Sequence, residues 1–421
     1  MARRSLEAWL EWQAGLHPTE IELGLERVQA VLEAMDLARP AARVITVGGT
    51  NGKGSCVAVL EALALEGGLS VGAYTSPHLL RYNERVRVDG REVDDAALVA
   101  AFEAVERARG DTSLSYFEFG TVAALEIFRR RGVQLVLLEV GLGGRLDAVN
   151  AVDPQVAVVT SVGLDHQEWL GPDRESIGRE KGGIFRAGRP AVIGDRVPPE
   201  TLLRAAGEEA LRLGRDFDWS ADGAGWRWRN ARRELAGLPR AVLGAPALLD
   251  NAACALAAFD ALYPLEGATV AHALASLRLP GRLQRVTGAV EWWLDVAHNP
   301  DGAAVLAGAL AATPVAGRTL AVVGMLEDKD AAAIGRALDG QVDRWFAGSV
   351  DSPRGLSGAA LAERLRAGVG TPVEAADSVT AACQAAQAAA RTGERVLVCG
   401  SFHAVGPALE WLGVYSGSQP R

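Results

Sequence analysis

The chain has 421 residues, enough for two or three domains at roughly 100–200 residues each. It is 49% hydrophobic and 23% charged, with a net charge of −9. That balance excludes a disordered chain and argues against nucleic acid or an anionic membrane surface as the main partner.

The start, Met1-Ala-Arg-Arg, is basic, but the stretch Ser5–Trp12 is amphipathic and acidic and is not a signal-peptide core. No uncharged apolar run approaches the ~18 residues of a membrane span. The four cysteines, Cys56, Cys254, Cys383 and Cys399, show no metal or redox spacing and read as buried small hydrophobes in a reducing compartment. A cytoplasmic enzyme is the expectation.

Strand-like apolar runs at 44–47, 71–75, 133–140, 156–162 and 190–193 alternate with helical patterns at 55–65, 94–109, 118–131, 174–185 and 200–213. Continuous apolar runs suit parallel strands covered on both faces, and the alternation predicts a three-layer α/β fold. Residues 215–240, with Trp219, Trp226 and Trp228, read as a small antiparallel ribbon, followed by helices at 247–263 and 268–277. Leu279-Pro-Gly-Arg282 reads as a linker. A second alternating set follows: strands at 290–296, 320–324, 344–349 and 395–399, and helices at 302–311, 331–338, 357–367 and 379–391. The expected division is therefore a P-loop-type domain over 1–281 with a mainly parallel sheet, and a smaller Rossmann-like domain over 282–421.

Parallel sheets bind ligands beyond the carboxyl ends of their strands, and the chemistry-bearing residues fall there. After the first strand comes Gly49-Thr-Asn-Gly-Lys-Gly-Ser55. Small residues let backbone N–H groups approach a polyphosphate, Lys53 supplies a point charge, and Ser55 can hold Mg²⁺. The loop departs from the usual spacing, because Gly54 stands between Lys53 and Ser55. Glu139 ends an apolar strand, where a carboxylate needs a cation or a metal; a Mg²⁺ ligand and a salt bridge with Arg145 are the two readings. Asp165-His166 follow another strand tip. Lys181 reads by composition as a solvated lysine. Asp295, His298 and Asn299 form a polar cluster before Pro300, which is also a helix-start signal.

Taken together, the motifs resemble the folylpolyglutamate synthase/dihydrofolate synthase family of the Mur ligase superfamily, over roughly residues 5–412. The likeness rests on Leu23–Val28, Gly49–Ser55, Ser76-Pro-His-Leu79, Tyr82–Val88, Tyr116–Thr121, Glu139–Asp147, Asp165-His166, Glu180-Lys181, Pro280-Gly-Arg282, Asp295–Pro300 and Cys399–His403, in that order. The resemblance implies that Asn51, Gly52, Lys53, Gly54 and Ser55 cradle ATP, joined by Asn251, Arg282, Asp295 and His298 from across the domain junction. It implies two Mg²⁺ ions held by Ser55, Glu139, His166 and a carbamylated Lys181, with K⁺ a further candidate. Glu22, Leu23, Gly24, Leu25, Ser115, Tyr116, Phe117 and Asp147 match a dihydropteroate site. The implied reaction is ATP-dependent addition of L-glutamate to dihydropteroate and folates through an acyl phosphate, with Lys53, Lys181, His166 and His298 carrying the chemistry in a monomer. A folylpolyglutamate synthase lacking the dihydropteroate activity, a cell-wall amino-acid ligase and a nucleotide-dependent switch are the alternatives.

Overall fold

The computed structural model describes residues 4–19 and 21–415. The basic Met1–Arg3 and the tail from residue 416 lie outside that range.

The first sheet contains β1 (Arg43–Gly48), β2 (Val71–Tyr74), β3 (Val86–Val88), β4 (Arg91–Glu92), β5 (Leu135–Glu139), β6 (Val156–Val159), β7 (Ala191–Ile193) and β8 (Leu211–Arg212). Their order is β4-β3-β2-β5-β1-β6-β7-β8. The six strands from β2 to β8 run parallel, and the hairpin β3–β4 adds an antiparallel edge. The hairpin turns at Asp89-Gly90, both with positive φ, the backbone that an Asp-Gly turn favours.

The apolar runs are continuous because alternate residues enter two different cores. Val136 and Leu138 of β5 join one hydrophobic cluster, while Leu135 and Leu137 join the other. The same division separates Ala157 and Val159 from Val156 and Val158 in β6. Helices Asp95–Arg109, Tyr116–Arg131 and Arg174–Gly182 cover the first face. Helices Lys53–Glu66, Pro246–Asp260 and Gly267–Ser276 cover the second. The tryptophan ribbon is present as β9 (Phe217–Asp222), β10 (Gly225–Asn230) and β11 (Glu234–Leu238), an antiparallel three-stranded sheet. Its Trp226 and Trp228 are fully buried.

The second large sheet has the order β12-β13-β17-β14-β15-β16, from β12 (Gln284–Val286), β13 (Glu291–Leu294), β14 (Thr319–Val323), β15 (Arg344–Gly348), β16 (Val373–Ala376) and β17 (Arg395–Cys399). All but the edge strand β12 run parallel. Alternate residues again divide between two cores, Ala321 and Val323 on one side, Leu320 and Val322 on the other.

Several elements differ from the sequence expectation. The helix expected over 200–213 ends at Ala206, because Gly207 takes φ 77° and Leu211–Arg212 pair with β7 instead. The helix expected over 174–185 stops at Gly182. The helix expected from Ser55 begins at Lys53, so Lys53 and Gly54 sit in its first turn. β16 is an edge strand with one buried residue, too little apolar signal to find. The helix Phe402–Trp411 contains Gly406 and Pro407, both breakers on propensity. Its Gly406 packs so closely on the Leu79 carbonyl that a Cβ would collide, joining the two large sheets' domains.

Candidate active site

The turn between β1 and helix Lys53–Glu66 is built for close approach. Gly49 has φ 145° and Gly52 has φ 88°. A Cβ on Gly49 would collide with the Thr160 hydroxyl, and one on Gly52 with the Asn251 side-chain amide. The backbone N–H groups of the helix start are therefore left open toward the cleft, at its positive end. Lys53 rests on the turn itself, its Nζ donating to Gly49 O at 3.0 Å and Thr50 O at 3.3 Å. Ser55 is buried, and its Oγ has no hydrogen-bond partner among the described residues. A buried hydroxyl left unmatched is uncommon in a native structure.

Glu139 ends β5 directly beside β1, in register with Val47. It is buried and accepts from Ser76 N–H at 3.1 Å through Oε2. Burial raises its carboxyl above the ordinary value, against the pull of Lys53, the Ser76 N–H and Arg282. The alternative of a salt bridge with Arg145 is not realised, since Arg145 pairs with Glu180 at 3.0 Å. Lys181 is not the solvated lysine of the composition reading. It is buried, and burial together with the Lys53 charge pushes its ammonium down to about 7.

His166 takes a left-handed backbone at φ 52°, and burial lowers its imidazole to about 4, so the ring is neutral at pH 7. The adjacent Asp165 is a junction between the two large sheets' domains. It accepts from Lys329 Nζ at 2.9 Å and Asn299 Nδ2 at 3.1 Å, with His298 Nε2 at 3.5 Å. Against its burial, the hydrogen bond with His298 and the Lys329 charge hold its carboxyl well below the usual range. Asn299 also bonds the Asn51 side chain in both directions, at 3.0 and 3.2 Å. The sequence reading did not assign Asn299 or Lys329 to the site. Asn299 carries a signal in the polar cluster before Pro300, whereas Lys329 lies beyond the end of β14 at Val323, where no local pattern marks it.

The Leu279–Arg282 segment is an ordered turn rather than an open linker. Leu279 is buried, and Gly281 O accepts from Val296 N–H at 2.9 Å. It delivers Arg282, whose guanidinium stands 5.0 Å over the Phe402 ring. Asp295 is fixed by the N–H groups of Leu283 and Ala297, each at 2.8 Å. His298 Nδ1 lies 2.9 Å from Val296 O.

These residues line one cleft of about 530 Å³, bounded by Gly49–Ser55, Glu139, His166, Lys181, Asn251, Arg282, Asp295 and His298. Every residue expected to touch nucleotide or metal is thus on one surface. Among the described residues, however, no group of three or more His, Cys, Asp and Glu side chains forms a ready-made metal cluster. The donor set still suits Mg²⁺ carried in with a polyphosphate, which needs only one or two protein ligands besides phosphate oxygens and waters. The unmatched Ser55 Oγ and the buried Glu139 are of that kind.

The eight residues expected at a dihydropteroate site do not line this cleft. Phe117 packs on Gly141, where a Cβ would lie 2.7 Å from its ring, and on Tyr74 with centroids 5.7 Å apart. Asp147 accepts from Leu142 N–H at 2.8 Å, and burial raises its carboxyl to about 6. Tyr116 meets Tyr82 edge-on at 5.7 Å. Gly141 and Leu142 belong to the cleft wall, so this aromatic cluster backs onto the same turn. Ser115 is occupied as the N-cap of helix Tyr116–Arg131, in a capping box with Glu118. Glu22 is half-exposed and bonds His17 and Arg27, and Arg27 reaches Glu118 at 2.9 Å. That chain ties the Leu23-Gly24-Leu25 segment to Ser115.

Comparison with known proteins agrees with this layout. Residues 281–402 match the family model of the Mur ligase glutamate ligase domain. The chain is 46% identical to dihydrofolate synthase/folylpolyglutamate synthase of Escherichia coli, over 97% of this chain and 96% of that protein. It is 39% identical to the Haemophilus influenzae protein of the same name, over 96% and 97%. Among solved structures, E. coli FolC in complex with DHPP and ADP superposes with a TM-score of 0.93 at 45% identity, covering 98% of this chain and 99% of that one. A bifunctional folylpolyglutamate synthase/dihydrofolate synthase with Mn, AMPPNP and L-glutamate bound gives a TM-score of 0.90 at 45% identity, over 98% and 99%. With end-to-end likeness and the cleft assembled where two α/β sheets' domains meet, this chain belongs to the dihydrofolate synthase/folylpolyglutamate synthase family of the Mur ligase superfamily.

Proposed function

We propose that the protein uses ATP to join L-glutamate to dihydropteroate, forming dihydrofolate, and to folates, forming polyglutamates. The observation that carries this reading is the cleft itself. A glycine-rich helix start, Lys53, the unmatched Ser55 hydroxyl and buried Glu139 face Arg282, Asp295 and His298 across the junction. We place the division between the two domains at 281/282, within the Pro280–Arg282 turn.

A carboxylate is a poor electrophile at neutral pH, so it must first gain a leaving group. In the first step an oxygen of the acceptor carboxylate attacks the γ-phosphorus of ATP, the bond to the bridging oxygen breaks, and ADP departs. In the second the glutamate amine attacks the acyl carbon, and the tetrahedral adduct expels inorganic phosphate and leaves an amide. Two anions must approach each other in the first step. Lys53 and the N-terminal end of its helix lower that barrier, and Arg282 matches phosphate charge from the opposite wall. Mg²⁺, which Ser55, Glu139 and His166 are placed to hold, would supply further charge neutralisation. Lys181 has the low proton affinity that addition of CO₂ to a lysine amine requires; as a carbamate it would add a third oxygen ligand to those of Ser55 and Glu139. His298, which lines the cleft, is available to receive the proton that the attacking amine loses. Asn51, Gly52, Gly54 and Asn251 shape the nucleotide's seat. The aromatic wall of Tyr116 and Phe117, with Asp147, Ser115 and Glu22–Leu25, is our assignment for the pteridine end.

The protein acts in this reading as a cytoplasmic monomer without nucleic-acid or membrane partners; among the described residues no helix is long and apolar enough to cross a membrane. Phosphate release measured with ATP, L-glutamate and each acceptor in turn tests it. Release is expected with dihydropteroate and with tetrahydrofolate, and release with neither, or only with a cell-wall nucleotide acceptor, overturns it. Titrating Mg²⁺ and K⁺ in the same assay gives the number of divalent ions used and any K⁺ activation.

A further inference from the structure

Between the nucleotide cleft and the aromatic pocket lies a cation to which no role has been assigned. Arg85 ends the short 3₁₀ turn Tyr82–Arg85. Its Nε donates to His78 Nδ1 at 2.8 Å, and its guanidinium stands 5.3 Å over Tyr82 and 5.5 Å over Tyr116. Among the described residues no carboxylate pairs with it. The neighbouring Glu84 is committed elsewhere: its carboxylate accepts from the N–H groups of Leu79, Leu80 and Arg81 at 2.7–2.8 Å and from the Tyr415 hydroxyl at 2.6 Å. A half-buried guanidinium between two aromatic rings, with its NH₂ groups unbonded among the described residues, is a receptor for a carboxylate.

His78 adds to that receptor. With Nδ1 accepting from Arg85, the neutral ring carries its proton on Nε2, a second donor beside the guanidinium. His403 lies close enough to bear on His78, and Arg354 on His403. Both belong to the second domain, and Arg354 stands 3.9 Å from Asp328. The place in the fold fixes what the site would meet. Ser76 and Pro77, just before His78, line the nucleotide cleft, where Ser76 N–H holds Glu139. Tyr116, under Arg85, belongs to the pocket assigned to the pteridine end. An acceptor stretched from that pocket to Lys53 would run along the Ser76–His78 segment to which Arg85 is bonded.

We propose that Arg85, oriented by His78, receives the free α-carboxylate of the terminal glutamate in a folate acceptor. This rests on the ligase reading above. Dihydropteroate reacts through its benzoate carboxyl and has no α-carboxylate. A folate reacts through the γ-carboxyl of its glutamate and must place an α-carboxylate a short aliphatic spacer away. Arg85 then favours the second reaction over the first and repeats its role at each added glutamate, since every round again presents one α-carboxylate at the same distance from the reacting carbon.

The test compares three acceptors in the full-length protein: dihydropteroate, tetrahydrofolate, and a tetrahydrofolate analogue with γ-aminobutyrate in place of glutamate, which lacks the α-carboxylate. Arg85→Gln is expected to raise KM for tetrahydrofolate roughly tenfold or more, the worth of one hydrogen bond to a charged group. KM for dihydropteroate and for the analogue should move by much less, and Arg85→Lys should recover part of the difference. Equal rises for all three acceptors, or a rise confined to the L-glutamate co-substrate, overturn the proposal. Equilibrium binding of the same three ligands by tryptophan fluorescence gives the comparison without turnover, so a protein that binds selectively yet ligates nothing would fault the ligase reading and not this one.

Discussion

Replacing Lys181 with methionine should make the ligand-free protein more stable while abolishing ligation. The lysine is buried, and its ammonium is pushed from the ordinary 10.5 down to about 7 by that burial and by Lys53. The folded chain therefore holds this proton more weakly than the unfolded chain does. Between about 7 and 10.5 the unfolded state binds the extra proton, so stability rises with pH across that window. Below it the full penalty applies. At about 1.4 kcal/mol per unit, the lysine costs the fold about 4 kcal/mol at pH 7.5. Methionine keeps much of the aliphatic volume and carries no charge, so Lys181→Met should recover most of that and flatten the pH dependence. Urea unfolding of both proteins from pH 6.5 to 9.5, in buffer stripped of bicarbonate, measures it. A wild-type curve as flat as the variant's, or a variant less stable at every pH, would refute the reasoning. Bicarbonate adds a second arm: ¹³CO₂ should give a carbamate resonance in the wild type that Lys181→Met lacks.

Gly52→Ala places a Cβ against the Asn251 amide at φ 88°. The left-handed backbone alone costs alanine about 1–2 kcal/mol, and the displaced turn should raise KM for ATP at least tenfold. An unchanged KM for ATP would mean the turn does not touch the nucleotide. Lys53→Ala should lower kcat by roughly 10²-fold or more, as for loss of one preorganised charge donor, with the fold intact by circular dichroism. ADP formation at the normal rate in the presence of dihydropteroate and glutamate would contradict its role.

The parts of this molecule that sequence made legible are those whose signal is local. β5 and β6 declare themselves by unbroken apolar runs, because each side of the sheet has its own core. The Gly49–Ser55 turn declares itself by glycines that the backbone requires. Residues whose meaning depends on distant packing were hidden. Lys181 has an unremarkable helical neighbourhood, and only the fold shows it buried behind Lys53. Glu139 and Arg145 are near enough in sequence to suggest a pair, yet the turn between them sends Arg145 to Glu180. Lys329 reaches Asp165 across 164 positions, and no spacing rule could have joined them. β8 and β16 are short edge strands specified by their neighbours more than by their own residues.

The central claim is that the acceptor's acid is activated by phosphorylation in the cleft between Lys53 and Arg282. Dihydropteroate labelled with ¹⁸O in its carboxylate tests this most directly. One turnover with ATP and L-glutamate should deliver one labelled oxygen into the inorganic phosphate, because the attacking carboxylate oxygen leaves with it. Dihydrofolate formed with unlabelled phosphate would contradict an acyl-phosphate route and the assignment of this cleft.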